Sequence, residues 1–348
     1  MPEGDTIHRT AAALRAALLG KPMTAFEAPR LTGLQPSTGA VIERVDSKGK
    51  HLEIGWDDGV VLHTHMRMTG SWHLYRPGEK WRKGHAAMRV VIEVPGFQAV
   101  CFSAPVVETY RARTFTRHPG RGGLGPDLCL PDADLDRCVE QMGRFCERET
   151  TVADALLDQR VACGVGNVYK SEILWACELH PFTPMGALDD GQRRRLVEKA
   201  AELLQANLDG PARVTAAGAP DGLAVYGRFG KPCLRCGLPI EVRKHGEQAR
   251  VTYWCPGCQV LLGLDPDEPA PPPEKGRRLF GRRRGPVAPE GPSGPDESVS
   301  FVDVPLEVTP EPVVVRGLDP HPAAQRFLAT RVNRLEPDFV DPLLAQGG

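Results

Sequence analysis

The sequence predicts an α+β, multidomain protein, and three observations carry that expectation. Between residues 41 and 102 short alternating apolar runs are separated by tight-turn dipeptides. Beyond Pro126 the texture changes to helical periodicity, and a small cysteine-rich unit follows at 226–259.

The elements follow in chain order. Ile7, Ala11, Leu14 and Leu18 recur at helical spacing, Asp5 or Thr6 can cap the start, and Gly20-Lys21-Pro22 ends the pattern. The runs at 41–45, 51–54, 60–62, 89–94 and 99–102 are strand-like, with turns at Asp57-Asp58-Gly59 and Pro95-Gly96, and together predict an antiparallel sandwich or barrel. Helices are expected at 135–142, 151–158, 167–177 and 189–208. The expected domains are 1–126, 127–225, 226–262 and a tail at 263–348. Of the chain's 33 prolines, 16 lie beyond Leu264, so the tail is expected to be disordered. Its basic run at 275–284 is read as a solvated linker or a DNA contact, and 321–335 as a short helix or a binding segment for another protein.

With 348 residues, 41% of them hydrophobic and 25% charged, the composition is that of a globular chain of two or three domains. No apolar run approaches the ~20 residues of a spanning helix, and Glu3 and Asp5 stand where a secretory leader is basic. The expected address is therefore cytoplasmic and nucleoid-associated, with no membrane partner. The net charge of −1 averages a mildly basic globular part, 33 Lys and Arg against 30 Asp and Glu through Gly263, with an acidic tail, 10 against 14. So small a surplus makes any nucleic-acid interface a matter of where the charges fall.

Three features carry chemistry. The chain begins Met1-Pro2-Glu3-Gly4; once methionine is removed, Pro2 presents a secondary amine one residue from a carboxylate. An α-amino group, with a reference pKa of about 7.7–8.0, is partly unprotonated at neutral pH, whereas a lysine at about 10.4 needs strong desolvation to become a nucleophile. Such an amine condenses with an aldehyde to an iminium; the alternative is a clipped terminus with no role. Second, Cys233-Leu-Arg-Cys236 and Cys255-Pro-Gly-Cys258 have the two-knuckle spacing of a tetrahedral thiolate zinc site at the tips of a β-hairpin. Four protein ligands leave no open position, so the expected zinc is structural, and Arg243, Lys244, His245 and Arg250 make the hairpin a basic finger suited to phosphates. Third, Gly164-Val165-Gly166 leads into the helix begun by Asn167, exposing backbone N–H groups at a positive helix end where phosphate binds well; Asn167 is equally explicable as an N-cap.

Taken together, Met1-Pro2-Glu3-Gly4, Ser47-Lys48-Gly49-Lys50, Gly164-Val165-Gly166-Asn167-Val168-Tyr169 and the run from Tyr253 to Gln259 resemble the formamidopyrimidine-DNA glycosylase/endonuclease VIII family, in that family's order. The resemblance covers roughly residues 1–262. It implies an N-terminal β-sandwich, a helix-two-turns-helix domain and a zinc finger. It also implies a bifunctional base-excision repair enzyme, a glycosylase for oxidised bases with apurinic/apyrimidinic lyase activity. By the resemblance Pro2 attacks C1′ and the iminium then permits β- and δ-elimination. Glu3 is the general acid/base beside the sugar, and Lys50 contacts the sugar–phosphate and assists proton delivery. Asn167 and Arg250 hold phosphates, with Gly164 and Gly166 in the clamp, while the lesion is turned out of the stack. The stretch from His65 to Trp72 resembles the void-filling loop, with Met68 as wedge, Arg67 as partner of the orphaned base, and Thr69 as a third candidate filler. The implied partner is damaged double-stranded DNA bound by a monomer, with single-stranded or bubble DNA left open.

Two departures from the family pattern matter. Thr6 stands where the family often carries a second acid that assists base excision. Residues 102–108, Phe-Ser-Ala-Pro-Val-Val-Glu, lack the Asp-Pro-Arg-Arg-Phe pattern of the 8-oxoguanine-processing branch, and 214–225 is short for an oxopurine-capping loop. Both favour the endonuclease VIII branch and oxidised pyrimidines. The alternative from another class is a non-catalytic damaged-DNA-binding module that kept clamp and finger and lost excision.

Overall fold

The structure is a computed structural model and describes residues 2–112, 123–146, 150–210, 212–246 and 249–263. The expected disorder of the tail lies outside the described residues.

The chain opens with α1 (Gly4–Leu18), whose Ile7, Ala11, Leu14 and Leu18 are buried as their spacing predicts. Eight strands follow: β1 (Ala25–Glu27), β2 (Ile42–Lys48), β3 (His51–Trp56), β4 (Val60–His65), β5 (Ser71–Tyr75), β6 (Met88–Val94), β7 (Phe97–Phe102) and β8 (Val106–Arg111). They form two antiparallel four-stranded sheets, ordered β1-β6-β7-β5 and β2-β3-β4-β8. Leu52, Ile54 and Leu62 of one sheet meet Val90, Ile92 and Cys101 of the other, and α1 joins the same core. Each such fully buried aliphatic side chain contributes about 1.5–3 kcal/mol. This is the expected antiparallel sandwich with its flanking helix.

Five strands coincide with the runs read from the sequence, and three do not. Ser71 and Trp72, read as part of a loop, begin β5; the loop proper is 66–70. The strand is hard to read because its burial does not alternate: Trp72 and Tyr75 are buried, with two half-buried residues between. The cap of α1 is also corrected. Its N-cap is Glu3, in extended backbone, while Asp5 and Thr6 lie inside the helix on its buried face.

The helical part comprises α2 (Leu135–Gly143), α3 (Val152–Leu157), α4 (Asn167–Ala176) and α5 (Asp190–Gln205). Side chains cap three of these helices: Asp134 caps α2, Thr151 caps α3, and Asp189 forms a reciprocal capping box with Gln192 on α5. Helix α4 is buried on every side through Leu174, including Asn167, Lys170 and Glu172. A helix so enclosed is the hub on which the neighbouring parts dock.

The chain then forms a hairpin of β9 (Glu241–His245) and β10 (Arg250–Trp254), with Arg250 opposite His245. The cysteine pairs sit at its open end, before β9 and directly after β10, and not at its tip as the spacing suggested.

Candidate active site

The N-terminal segment, the β2–β3 turn and the approach to α4 meet at one junction. Glu3 is fully buried, and its carboxylate accepts from three backbone amides at the start of α4: Gly166 N–H at 3.0 Å and Tyr169 N–H at 3.2 Å on Oε2, and Val168 N–H at 2.8 Å on Oε1. A negative group at a helix N-terminus satisfies the orphan donors of the first turn and meets the positive end of the helix dipole. The main chain reinforces the contact, since Gly4 N–H donates to Gly164 O at 2.9 Å.

This arrangement explains the glycines. A Cβ at Gly166 would lie 2.3 Å from Glu3 Cδ, and one at Gly4 would lie 2.7 Å from Gly164 Cα. It also corrects the reading of Gly164 and Gly166 as a phosphate cradle. The amide of Gly166 is taken by Glu3, and that of Gly164 donates to Gln159 Oε1 at 3.2 Å. The helix end binds an anion, and that anion is the protein's own carboxylate.

Lys50 arrives from the β2–β3 turn, where Gly49 has φ +56° and donates its N–H to Asp127 Oδ2 at 2.7 Å. The Lys50 ammonium donates to Val165 O at 2.6 Å. Burial pushes its pKa down; Glu3 acts in the opposite sense, and Arg250 adds to the lowering. Pro2 is half-buried and precedes Glu3 in the same segment.

The clamp side is built around α4 and β10. Asn167 is not an N-cap: Gly166 holds that place, and the Asn167 amide group donates to Val251 O at 2.6 Å. Arg250, next to Val251, stands close enough to Lys50 and Lys170 that its charge lowers the pKa of both. Of the other finger side chains, Arg243 lies over the Phe182 ring at 5.1 Å and His245 pairs with Asp154 at 2.9 Å, so those two brace the hairpin.

Sequence reasoning missed a second buried pair. Asp5, fully buried, is held by Arg213 through Nε at 3.0 Å and Nη2 at 2.5 Å, and Arg213 also donates to Thr6 Oγ1 at 3.2 Å. Arg213 rides over the Tyr169 ring at 4.7 Å. The position that departs from the family pattern therefore sits against an acid–arginine pair one residue away. Glu172 was missed too; it accepts from Thr215 Oγ1 and the amides of Ala224, Val225 and Tyr226, fixing the 215–226 stretch. No local pattern announces either pair, because the partners lie 208 and 43–54 residues apart.

The wedge candidates occupy the loop after β4. Met68 is 71% exposed, Arg67 has φ +44°, and Thr69 Oγ1 donates to Ser103 O at 3.1 Å, with Ser103 itself at φ +52°. Two non-glycine residues in the left-handed region cost about 1–3 kcal/mol each, which marks a loop pair held in shape by its surroundings. A cleft of about 250 Å³ opens beside it, walled in part by Arg30, Thr69, Arg89 and Ser103; none of its lining residues belongs to the Glu3–Lys50 junction. Loop and junction are linked through β3 and β4, where His65 is paired with His51, the neighbour of Lys50. Burial, with the charges of His63, Lys50 and Arg67, lowers His65 to about 4. His51 contacts His63 at 2.8 Å, and His63 contacts Glu108 at 2.7 Å.

Cys233, Cys236, Cys255 and Cys258 bring their Sγ atoms within 4.8 Å of one another and form the one candidate metal cluster among the described residues. Cys233 and Cys258 are 3.9 Å apart and Cys236 and Cys255 3.3 Å, against about 3.8 Å for the edge of a tetrahedron with zinc–sulfur bonds of about 2.3 Å. Burial raises the Cys233 thiol, but the Trp175 indole N–H, the Arg235 and Cys236 amides and the neighbouring Cys255 together lower it to about 6, while Cys255 and Cys258 are pushed up by burial and by the other thiols.

Known proteins share this architecture. The formamidopyrimidine-DNA glycosylase N-terminal domain matches residues 1–109 and the formamidopyrimidine-DNA glycosylase H2TH domain matches 124–216. The chain is 39% identical over 265 residues to a probable endonuclease 8 2 of Streptomyces coelicolor, covering 75% of this chain and 94% of that one. It is 38% identical to the DNA-(apurinic or apyrimidinic site) lyase Nei2 of Mycolicibacterium smegmatis, covering 75% and 99%, and 31% identical to endonuclease 8 of Escherichia coli, covering 74% and 100%. Among solved structures, Lactococcus lactis formamidopyrimidine-DNA glycosylase bound to abasic-site DNA superposes with a TM-score of 0.63 at 24% identity, covering 74% of this chain and 99% of that one; this shows the shared fold.

Proposed function

The chain belongs to the formamidopyrimidine-DNA glycosylase/endonuclease 8 family, and from that premise we propose that it is a base-excision repair glycosylase and abasic-site lyase of the endonuclease 8 branch, acting on oxidised pyrimidines in duplex DNA. The observation that carries the reading is the junction itself. The N-terminal segment has Pro2 one residue before a carboxylate held at a helix end, and that carboxylate is close enough to act on Lys50, whose pKa burial lowers.

In this reading methionine removal frees the Pro2 nitrogen, which attacks C1′ of the extruded nucleotide as the glycosidic bond breaks and the base leaves with a proton. The C1′–O4′ bond then opens, with O4′ taking a proton, and the resulting iminium withdraws electrons from C2′, whose proton is then lost. The C3′–O bond breaks first and the C5′–O bond second, releasing both phosphates. Glu3 handles protons at the sugar and balances the iminium charge, its orientation set by the three α4 amides. Lys50, with burial favouring its neutral form, takes up and returns a proton at the sugar. Arg250 and Asn167 hold backbone phosphates, and Met68 and Arg67 enter the space left by the flipped base. Cys233, Cys236, Cys255 and Cys258 would hold a zinc that would fix the finger presenting Arg250, and with four protein ligands no position would be left open for chemistry.

The test is excision and strand cleavage on matched duplexes carrying thymine glycol or 8-oxoguanine. Faster release of thymine glycol, with both elimination products, supports the reading. Preference for 8-oxoguanine overturns the pyrimidine assignment, and cleavage of neither overturns the enzyme.

A further inference from the structure

Lys170 is a lysine that the mechanism does not use, yet it is 1% exposed on the hub helix. Its ammonium has three hydrogens and three acceptors: Asn167 Oδ1 at 2.7 Å, Thr252 Oγ1 at 2.7 Å and Val251 O at 3.4 Å. The first lies one turn back on α4; the other two lie on β10, directly after Arg250. Asn167 and Lys170 thus share Val251 O, and the Lys170 ammonium fixes which way the Asn167 amide faces. A carboxamide whose oxygen is held by an ammonium must turn its NH₂ the other way.

We infer that Lys170 is a positioning residue for the DNA clamp: its ammonium orients the Asn167 amide and ties β10 to α4, so that Asn167 and Arg250 address the same stretch of backbone. This rests on the proposed reading of Asn167 and Arg250 as phosphate contacts. The ammonium gives one hydrogen to each of the three acceptors, whereas a neutral amine has only two and would have to accept from the Thr252 hydroxyl instead of donating to it. Burial works against that form and lowers the pKa to about 7; Asp154 on α3 and Glu3 favour the charge, and Arg250 opposes it. The clamp is therefore tighter below neutrality and loosens as the lysine deprotonates. His245 on the finger pairs with Asp154, so the wild-type profile is compared with that of K170R, which keeps the charge at position 170 and leaves the His245–Asp154 pair untouched.

The experiment measures affinity of the zinc-loaded full chain for a duplex with a reduced abasic analogue, using wild type, K170M, K170R, N167A and K170M/N167A, with urea midpoints as the fold control. At pH 6.5, K170M and N167A each weaken binding about tenfold, and the double variant binds within about twofold of either single one, because both remove the same contact. K170R recovers most of the affinity and is flatter than wild type between pH 6.5 and 8. Losses that multiply to about a hundredfold in the double variant, or wild-type affinity in folded K170M, overturn the inference. Should K170M fail to fold, the pH profiles of wild type and K170R decide alone, parallel profiles being the contrary result. Because the readout is affinity for an uncleavable duplex, failure here is separable from failure of the lyase reading, which is read on covalent trapping.

Discussion

Glu3→Gln separates the structural role of the buried carboxylate from its chemical one. The carboxylate accepts three α4 amides, two on one oxygen and one on the other. Glutamine has a single acceptor oxygen. Its better orientation keeps Gly166 and Tyr169 and turns its own NH₂ toward the Val168 N–H, leaving a buried donor unsatisfied at a cost of about 1–3 kcal/mol. Loss of the negative charge at the helix N-terminus removes up to about 2 kcal/mol more. Together these give roughly 3 kcal/mol, and at about 2–4 °C per kcal/mol for a domain of this size the melting temperature falls by about 6–12 °C. Gly166→Ala is the companion perturbation, because its Cβ would collide with Glu3 Cδ and evict the carboxylate while leaving its charge intact. Calorimetry of both variants, alongside their rate on a pre-formed abasic site, supplies the assay. If E3Q melts within about 2 °C of wild type and G166A is tolerated, the helix-end anchoring of Glu3 is wrong.

Other outcomes follow from the same geometry. Metal analysis should give one zinc per chain, and chelation should abolish duplex binding while changing tryptophan emission, since the Trp175 indole N–H donates to Cys233 Sγ at 3.5 Å; a metal-free chain with intact affinity contradicts the four-cysteine site. Arg250→Ala should weaken duplex binding across sequences and reduce the salt slope by about one ion, and an unchanged slope would demote Arg250 to a brace. Stability should fall as pH drops. His65, His73 and His180 are lowered by burial from 6.5 to about 4 in the folded chain, so between those values the unfolded state binds more protons and stability is lost as pH falls from about 6.5 toward 4. Urea midpoints at pH 7.5, 6 and 5 check this, and His180→Gln should shallow the slope; a midpoint indifferent to pH across this window refutes it.

Much of this was legible because it was local. The strand runs in β3, β4 and β7, the α1 stripe and the cysteine spacing each follow from a period or a fixed offset. What the sequence hid was pairing across long separations. Glycines 164 and 166 advertise a helix end open to an anion, and only the fold reveals that Glu3, more than 160 residues earlier, fills it. Asp5 looks like a helix cap until Arg213 appears beside it. Lys170 sits in a run that reads as an ordinary helix, and its burial against β10 depends on how the finger docks. The loop after β4 was read as a wedge through resemblance; its tension, in Arg67 and Ser103, is visible only in the backbone.

The central claim is that the Pro2 amine is the nucleophile. Borohydride reduction during reaction with abasic-site DNA tests it most directly. The account predicts a covalent protein–DNA adduct mapped to the N-terminal peptide, retained in E3Q at reduced yield and absent when Pro2 is replaced or when the initiator methionine is kept. An adduct of undiminished yield in the Pro2 variant, mapped to Lys50 or any other lysine, would contradict it.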